Sequence, residues 1–273
     1  MKLYPNAKIN IGLNITEKRP DGYHNIETVF YPLSLSDELT VELPDTDDAP
    51  EYKFHLSGID IDVNPEKNLV IKAYRLLQQE YNLKPVDVIL KKNIPFGAGL
   101  GGGSSDAAFM LKALNQLFKL NLSYNELERL AVRLGADCPV FIKNQAVFAE
   151  GIGDVFTPVN LSLKGYYIVL VKPDIFVPTP EAYASVVPKQ PLNSLIENIK
   201  MPVSEWKNFI CNDFETPVFY KYPLIGKIKS QLYEQGALYA SMSGSGSSVY
   251  GIFDHNPTKP EGFENYFIYI GSL

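Results

Sequence analysis

The run Ile94–Met110, IPFGAGLGGGSSDAAFM, decides how the rest of the chain is read. It holds five glycines, then two serines and an acid. Glycine gives up side-chain packing and loses the most conformational freedom on folding, so such a run belongs where bare backbone is needed. Downstream, Ala107, Met110, Leu111, Leu114 and Phe118 recur at helical spacing. Ser104 or Ser105 is the expected N-cap of that helix, and Asp106 suits its positive start. A flexible linker would not run straight into an amphipathic helix, so the run reads as a phosphate loop.

Two familiar loop types fit badly. The Walker A pattern G-x-x-x-x-G-K-[ST] matches Gly97–Ser104 except that Gly103 stands where a lysine must reach the terminal phosphates. The dinucleotide fingerprint G-x-G-x-x-G matches formally at Gly97, Gly99 and Gly102. It also needs an early strand-helix-strand unit with an acid about 20 residues on. Here the run begins only at residue 94, and a second helix, SYNELERLAVRLG, follows the first.

The chain has 273 residues, enough for one large domain or two modest ones. Its net charge of −6 leaves no general basic field for nucleic acid or anionic membrane, so an anion site must be built locally. Two cysteines are too few for a disulfide framework and suit a reducing cytoplasm. The start MKLYPNAKINIGLN does not read as a signal peptide, and no apolar run reaches the ~20 residues of a membrane span.

Strands are expected in AKINIGLNIT, DELTVELP, YKFHLSG, VDVILKK, AVFAEGIGDVFTPV and GYYIVLVKP. The acidic stretch PDTDDAP reads as a turn. Helices are expected in NLVIKAYRLLQQEYN, with Val70, Ala73, Leu76, Leu77 and Tyr81 on one face, and in LIGKIKSQLYEQG. A further helix begins at TPEAYASVV with Thr179 as cap and Pro180 in its first turn. ALYASMSGSGSSVYGIF reads as strand, glycine-serine loop and strand. Strands and helices mix without a regular beat, which argues for an α+β fold.

The block Pro95–Ala108 resembles the P-x-x-x-G-L-G-S-S-A-A loop of the GHMP kinases, named for galactokinase and the homoserine, mevalonate and phosphomevalonate kinases. Backbone N–H groups and a helix start can hold phosphate there without a loop lysine. PNAKINIGLNI near the start and SMSGSGSSVYGIF near the end resemble the family's first and third motifs. The stretches RPDGYHNIETVFYPLSLSDELTVE, LGADCPVF, AEGIGD and VPTPEAY resemble one branch of that family, which phosphorylates the 2-hydroxyl of a cytidine-diphosphate-linked methylerythritol in isoprenoid-precursor synthesis. Asp106 stands where some members carry asparagine.

The resemblance implies a two-domain GHMP kinase-like fold. Residues 1–152 would form the N-terminal nucleotide-binding domain with a ribosomal-protein-like element, and residues 153–273 a ferredoxin-like C-terminal domain. It implies Lys8 and Asp137 as catalytic groups. ATP would be held by Pro95, Gly97, Gly99, Leu100, Gly101, Gly102, Gly103, Ser104 and Ser105, with Asn68 near the adenosine. The substrate would meet Asn10, Tyr23, His24, Phe30, Thr179, Tyr183, Gly244 and Ser245. Mg²⁺ would arrive with ATP, since no acid-histidine cluster has metal-ligand spacing.

Each assignment has a plainer counterpart. Asp137 could be a turn aspartate, Lys8 a solvated strand lysine, and Thr179 or Asn68 only a cap. Tyr23 and His24 could be a surface turn, and Cys138 a small core residue. The alternatives left open are a mevalonate- or homoserine-type kinase, a non-catalytic ATP-binding relative and, distantly, a dinucleotide-dependent oxidoreductase. Partners are expected to be small molecules, without nucleic acid or membrane, for a monomer or weak homodimer.

Overall fold

The computed structural model describes residues 1–46, 50–59 and 64–273. The acidic turn at residues 44–50 lies partly outside the described residues. The chain divides into two compact units that interleave along the sequence. The first comprises Met1–Ala7, Leu35–Phe96 and Gly101–Asn144; the second comprises Lys8–Ser34, Gly97–Leu100 and Gln145–Leu273. Elements are numbered along the whole chain.

The first unit carries a sheet in the order β1 (Lys2–Leu3), β4 (Glu38–Glu42), β6 (Val86–Lys92), β5 (Tyr52–Gly58). Its pairings are antiparallel except β5 with β6, which run parallel. Val86, Val88 and Leu90 turn one face of β6 into the core, as period-2 alternation requires. Helix α1 (Leu69–Tyr81) packs on α2 (Gly102–Leu117), and α3 (Tyr124–Val132) and α4 (Val140–Lys143) complete the unit. The expected stripe of α1 is buried through Val70, Ala73, Leu76 and Leu77, while Tyr81 in the last turn is exposed. Ser123 and Glu126 close a reciprocal capping box at the start of α3.

Two sheets occupy the second unit. One runs β2 (Asn6–Lys18), β3 (His24–Ser36), β7 (Val147–Glu150), β8 (Val155–Pro158), with the unit boundaries falling inside β2 and β3. The stretch expected as one strand, residues 146–159, is two strands joined by a turn in which Gly151 and Gly153 both have positive φ. The other sheet is wholly antiparallel, in the order β10 (Tyr239–Met242), β11 (Val249–Phe253), β9 (Tyr167–Lys172), β12 (Phe267–Ser272). Helices α5 (Thr179–Ala184), α6 (Leu195–Asn198), α7 (Glu215–Lys221) and α8 (Pro223–Glu234) belong to the same unit. Ile225, Ile228 and Leu232 of α8 close over Val169, Val171 and Val249 in its core.

Two expected caps are not where the sequence suggested. Helix α2 starts at Gly102, with Gly101 at φ +70° as its cap, so Ser104 and Ser105 lie inside the first turns. Helix α5 is capped by Pro178, and Thr179 is its first residue. In both cases the chain enters the helix earlier than the polar residue that usually stops it. The glycine can adopt the left-handed entry that a serine resists.

Candidate active site

In the second unit, β2 brings in the first motif. Lys8 and Asn10 are two residues apart on one strand face, and both are buried. The Lys8 ammonium donates to Asn10 Oδ1 at 2.7 Å and to the Gly99 carbonyl at 3.1 Å, and lies 4.9 Å from the centre of the Phe30 ring. Asn10 Nδ2 in turn donates to Thr28 Oγ1 at 3.0 Å. The asparagine amide is therefore oriented from both ends and aims the ammonium.

The chain N–H of Lys8 donates to the Leu100 carbonyl at 2.9 Å, which ties β2 to the loop residues Gly97–Leu100. A Cβ added at Gly99 would overlap the Ser243 carbonyl, and its φ is +76°, so this position admits only glycine. Ser243 Oγ donates to the Gly99 carbonyl at 2.8 Å. The third motif, between β10 and β11, thus packs on this part of the glycine run. Ser245 Oγ meets Thr179 Oγ1 at 3.1 Å, and Gly244 lies beside the Asn10 side chain.

The aromatic residues gather around α5 and the turn at Arg19–Tyr23. The His24 and Tyr183 rings stack at 5.0 Å, and Phe214 packs edge-on beneath Tyr183 at 4.8 Å. Burial, and then nearby Lys18, hold the His24 imidazole below its usual pKa. A neutral imidazole carries one donor and one acceptor, the pair needed to read the edge of a base. Tyr23 is 62% exposed beside it in sequence, with its N–H bonded to Asp21 Oδ1. Phe30 is buried under Lys8 and against Phe156.

In the first unit, the remaining glycines open α2. Gly103 lies in its first turn, exposed, with room for a side chain: a Cβ there would meet only Leu69 Cδ1 at 3.8 Å. Ser104 is half-buried. Ser105 is fully buried. Asp106 does not face the helix start. It turns inward to Lys92 Nζ at 2.5 Å, and Lys92 also pairs with Asp37. All three are buried, and Asp37 Oδ1 accepts the N–H groups of Asn93 and Ile94 just before Pro95. This cluster joins both flanks of the glycine run. Lys92 continues the inward series Val86, Val88, Leu90, so strand alternation already pointed it into the core.

Asp137 sits half-buried on the turn between α3 and α4. Its neighbour Cys138 is fully buried, with burial pushing the thiol up to about 12, so it is a core residue without nucleophilic character. Asn68 caps α1, its Oδ1 accepting the Val70 N–H at 2.9 Å.

Comparison with known proteins gives the family. The model for the GHMP kinases N terminal domain matches residues 68–151, and that for the GHMP kinases C terminal matches residues 196–265. The chain is 58% identical over 262 residues to the 4-diphosphocytidyl-2-C-methyl-D-erythritol kinase of Bacteroides thetaiotaomicron, covering 96% of this chain and 95% of that protein. The chain belongs to that kinase family, within the GHMP kinases. The Parabacteroides distasonis member is 54% identical, with full coverage of both chains. A crystal structure of a 4-(cytidine 5'-diphospho)-2C-methyl-D-erythritol kinase superposes with a TM-score of 0.77 at 32% identity, covering 94% of this chain and 91% of that one. The mevalonate kinase of Methanococcus jannaschii, at 12% identity and a TM-score of 0.73, shares the GHMP kinase fold. Among the described residues no helix is long and apolar enough to cross a membrane.

The GHMP kinase motifs pointed to the chemistry but not to what holds it. Lys92, Asp37 and Thr28 hold the motif residues in place and carry no loop signature. A lysine at an inward strand position was the one visible signal.

Proposed function

We propose that the chain transfers the γ-phosphoryl group of ATP to the 2-hydroxyl of 4-diphosphocytidyl-2-C-methyl-D-erythritol. The near-full-length identity to kinases named for that substrate carries this reading. The His24–Tyr183 stack supports it, since a cytosine needs a flat face and a hydrogen-bonding edge.

In this reading the substrate hydroxyl oxygen attacks the γ-phosphorus in line. The P–O bond to ADP breaks, and the hydroxyl proton passes to the Asp137 carboxylate. Such transfers need positioning and charge stabilisation above all. Lys8, aimed by Asn10, offsets charge on the transferring group. Backbone N–H groups of Gly99–Gly103 and the start of α2 take the phosphates. Ser104, at the first turn of that helix, is a hard oxygen suited to a divalent ion. Mg²⁺ arriving with ATP would neutralise phosphate charge. Asn68, Pro95, Gly97 and Leu100 complete the nucleotide side. Tyr23, Phe30, Thr179, Gly244 and Ser245 complete the substrate side. Two small molecules are the partners, and the compartment is the cytoplasm.

The test is ATP consumption with a panel of acceptors: the diphosphocytidyl compound, mevalonate, homoserine and galactose. Turnover should be confined to the first. Turnover of mevalonate or homoserine in its place sinks the assignment, and ATP binding without any turnover marks a non-catalytic relative.

A further inference from the structure

The segment Asn212–Glu215 belongs to no phosphate loop or motif named above, yet all four of its residues grip the second unit. Asn212 is buried, and its Nδ2 donates to the Met242 and Gly244 carbonyls, both at 2.8 Å. Its Oδ1 accepts the Phe214 N–H at 3.0 Å, so the whole amide is used. Asp213 Oδ2 accepts the Ile15 N–H at 2.8 Å, and the Asp213 N–H donates to the Leu13 carbonyl at 2.8 Å. Both contacts lie on β2, the strand that carries Lys8 and Asn10. Phe214 is 1% exposed and forms the edge-on floor of Tyr183, whose ring stacks on His24. Glu215 Oε1 accepts the Met242 N–H at 2.9 Å, and Lys229 at 2.6 Å balances its charge.

Such saturation is costly to build in a core. A buried amide with every group paired fixes one geometry, and leaving any of them unpaired is unfavourable. What it fixes is specific: the Gly244 carbonyl next to Ser245, and the underside of Tyr183. In the functional reading above, both belong to the substrate side of the site.

We propose that Asn212 and Phe214 are positioning residues for the cytidine substrate. They act through the Gly244–Ser245 turn and the Tyr183 ring, and they leave nucleotide affinity to other groups. The proposal rests on the functional reading above, in which Tyr183 and Ser245 are substrate contacts. A packing residue would show itself in stability alone. A positioning residue shows itself in the KM for one substrate and loses that effect when the group it positions is gone.

The experiment is steady-state kinetics of the full chain, with thermal melting alongside. Phe214→Leu removes the ring edge beneath Tyr183. An edge contact of that kind corresponds to a rise of roughly 3–10-fold in KM for the diphosphocytidyl substrate. KM for ATP and kcat should stay within about twofold. On a Tyr183→Ala background the same Phe214→Leu change should have no further effect on that KM, because it acts through the absent ring. Asn212→Ser, which deletes both donated bonds, should also raise KM for the diphosphocytidyl substrate more than KM for ATP.

Should Phe214→Leu not fold, Phe214→Met and Asn212→Ser carry the same measurement. An unchanged diphosphocytidyl KM in soluble variants overturns the proposal, as does an equal loss with and without Tyr183. A wild type that ignores the diphosphocytidyl compound overturns the functional reading together with this one. A wild type that turns it over beside unaffected variants overturns this one alone.

Discussion

Gly99 and Gly103 belong to one glycine run and tolerate side chains very differently. At Gly99 a Cβ would strike the Ser243 carbonyl, and the backbone is left-handed. Alanine there is expected to damage the fold, so its kinetics would say little. Gly103 has space and lies in the first turn of a helix, where alanine is favoured over glycine by up to about 1 kcal/mol. Gly103→Ala should therefore melt no lower than the wild type and, if Gly103 is the phosphate contact proposed above, still weaken ATP by putting a methyl group in the path of the phosphate to the backbone. A tenfold or larger rise in KM for ATP with an unreduced melting temperature is the expected pair of results. An unchanged KM removes this glycine from the phosphate site. For Asp137 the readout is turnover. Asp137→Asn keeps the size and removes the proposed base, so kcat should fall by roughly 10²–10⁴, nearer the lower end for a loose transition state. Lys8→Ala should also lower kcat, and the double variant should lose less than the product of the two single losses. Near-normal kcat in Asp137→Asn at saturating substrates returns that residue to a turn aspartate.

At the level of elements, the join between β6 and α2 rests on one buried cation and two buried acids. Lys92 feels burial pulling its pKa down, but Asp106 and Asp37 more than restore it, and it stays charged. Asp106 is pushed up by burial, with Lys92 pulling back, to about 7. An unfolded aspartate titrates near 3.9. Between those values the folded chain holds more protons than the unfolded one, so this group's share of stability falls as pH rises from about 4 to about 7 and is level above. Asp106→Asn should flatten that slope and gain most against the wild type above pH 7. Melting both proteins from pH 5 to 8 lets other titrations cancel in the difference, and parallel curves would refute it. Removing the cation is a harsher change: Lys92→Ala leaves two buried carboxylates facing each other, a loss of roughly 3–5 kcal/mol.

Across the whole molecule, what could be read from the sequence was periodicity and loop chemistry. The stripe of α1 apart from Tyr81, helix α8 and the β10–β11 hairpin follow local patterns and appear where expected. Strand β3 was hidden because Pro32 interrupts it. Strand β12 pairs with β9 across most of the second half of the chain, and no local signal announces such a partner. Helix α7 is seven residues long with a proline inside, too short for a periodic pattern. For the site, the glycine run and the short motifs could be read as chemistry. The groups that aim them could not, because a buried amide such as Asn212 looks like any loop asparagine until its partners are known.

The interleaving of the two units has a consequence for the birth of the chain. The path crosses between them at residues 7–8, 34–35, 96–97, 100–101 and 144–145. On the ribosome, β2 and β3 emerge early, carrying a run of apolar residues that is fully buried in the finished fold. Their sheet partner β7 is made on the order of 100 residues later, roughly 5–20 s at ribosomal elongation speeds. The rest of their core, in α8 and the last sheet, comes later still. Neither unit can close as its own stretch is completed, so this nascent chain holds a sticky amino-terminal hairpin in waiting for most of its synthesis.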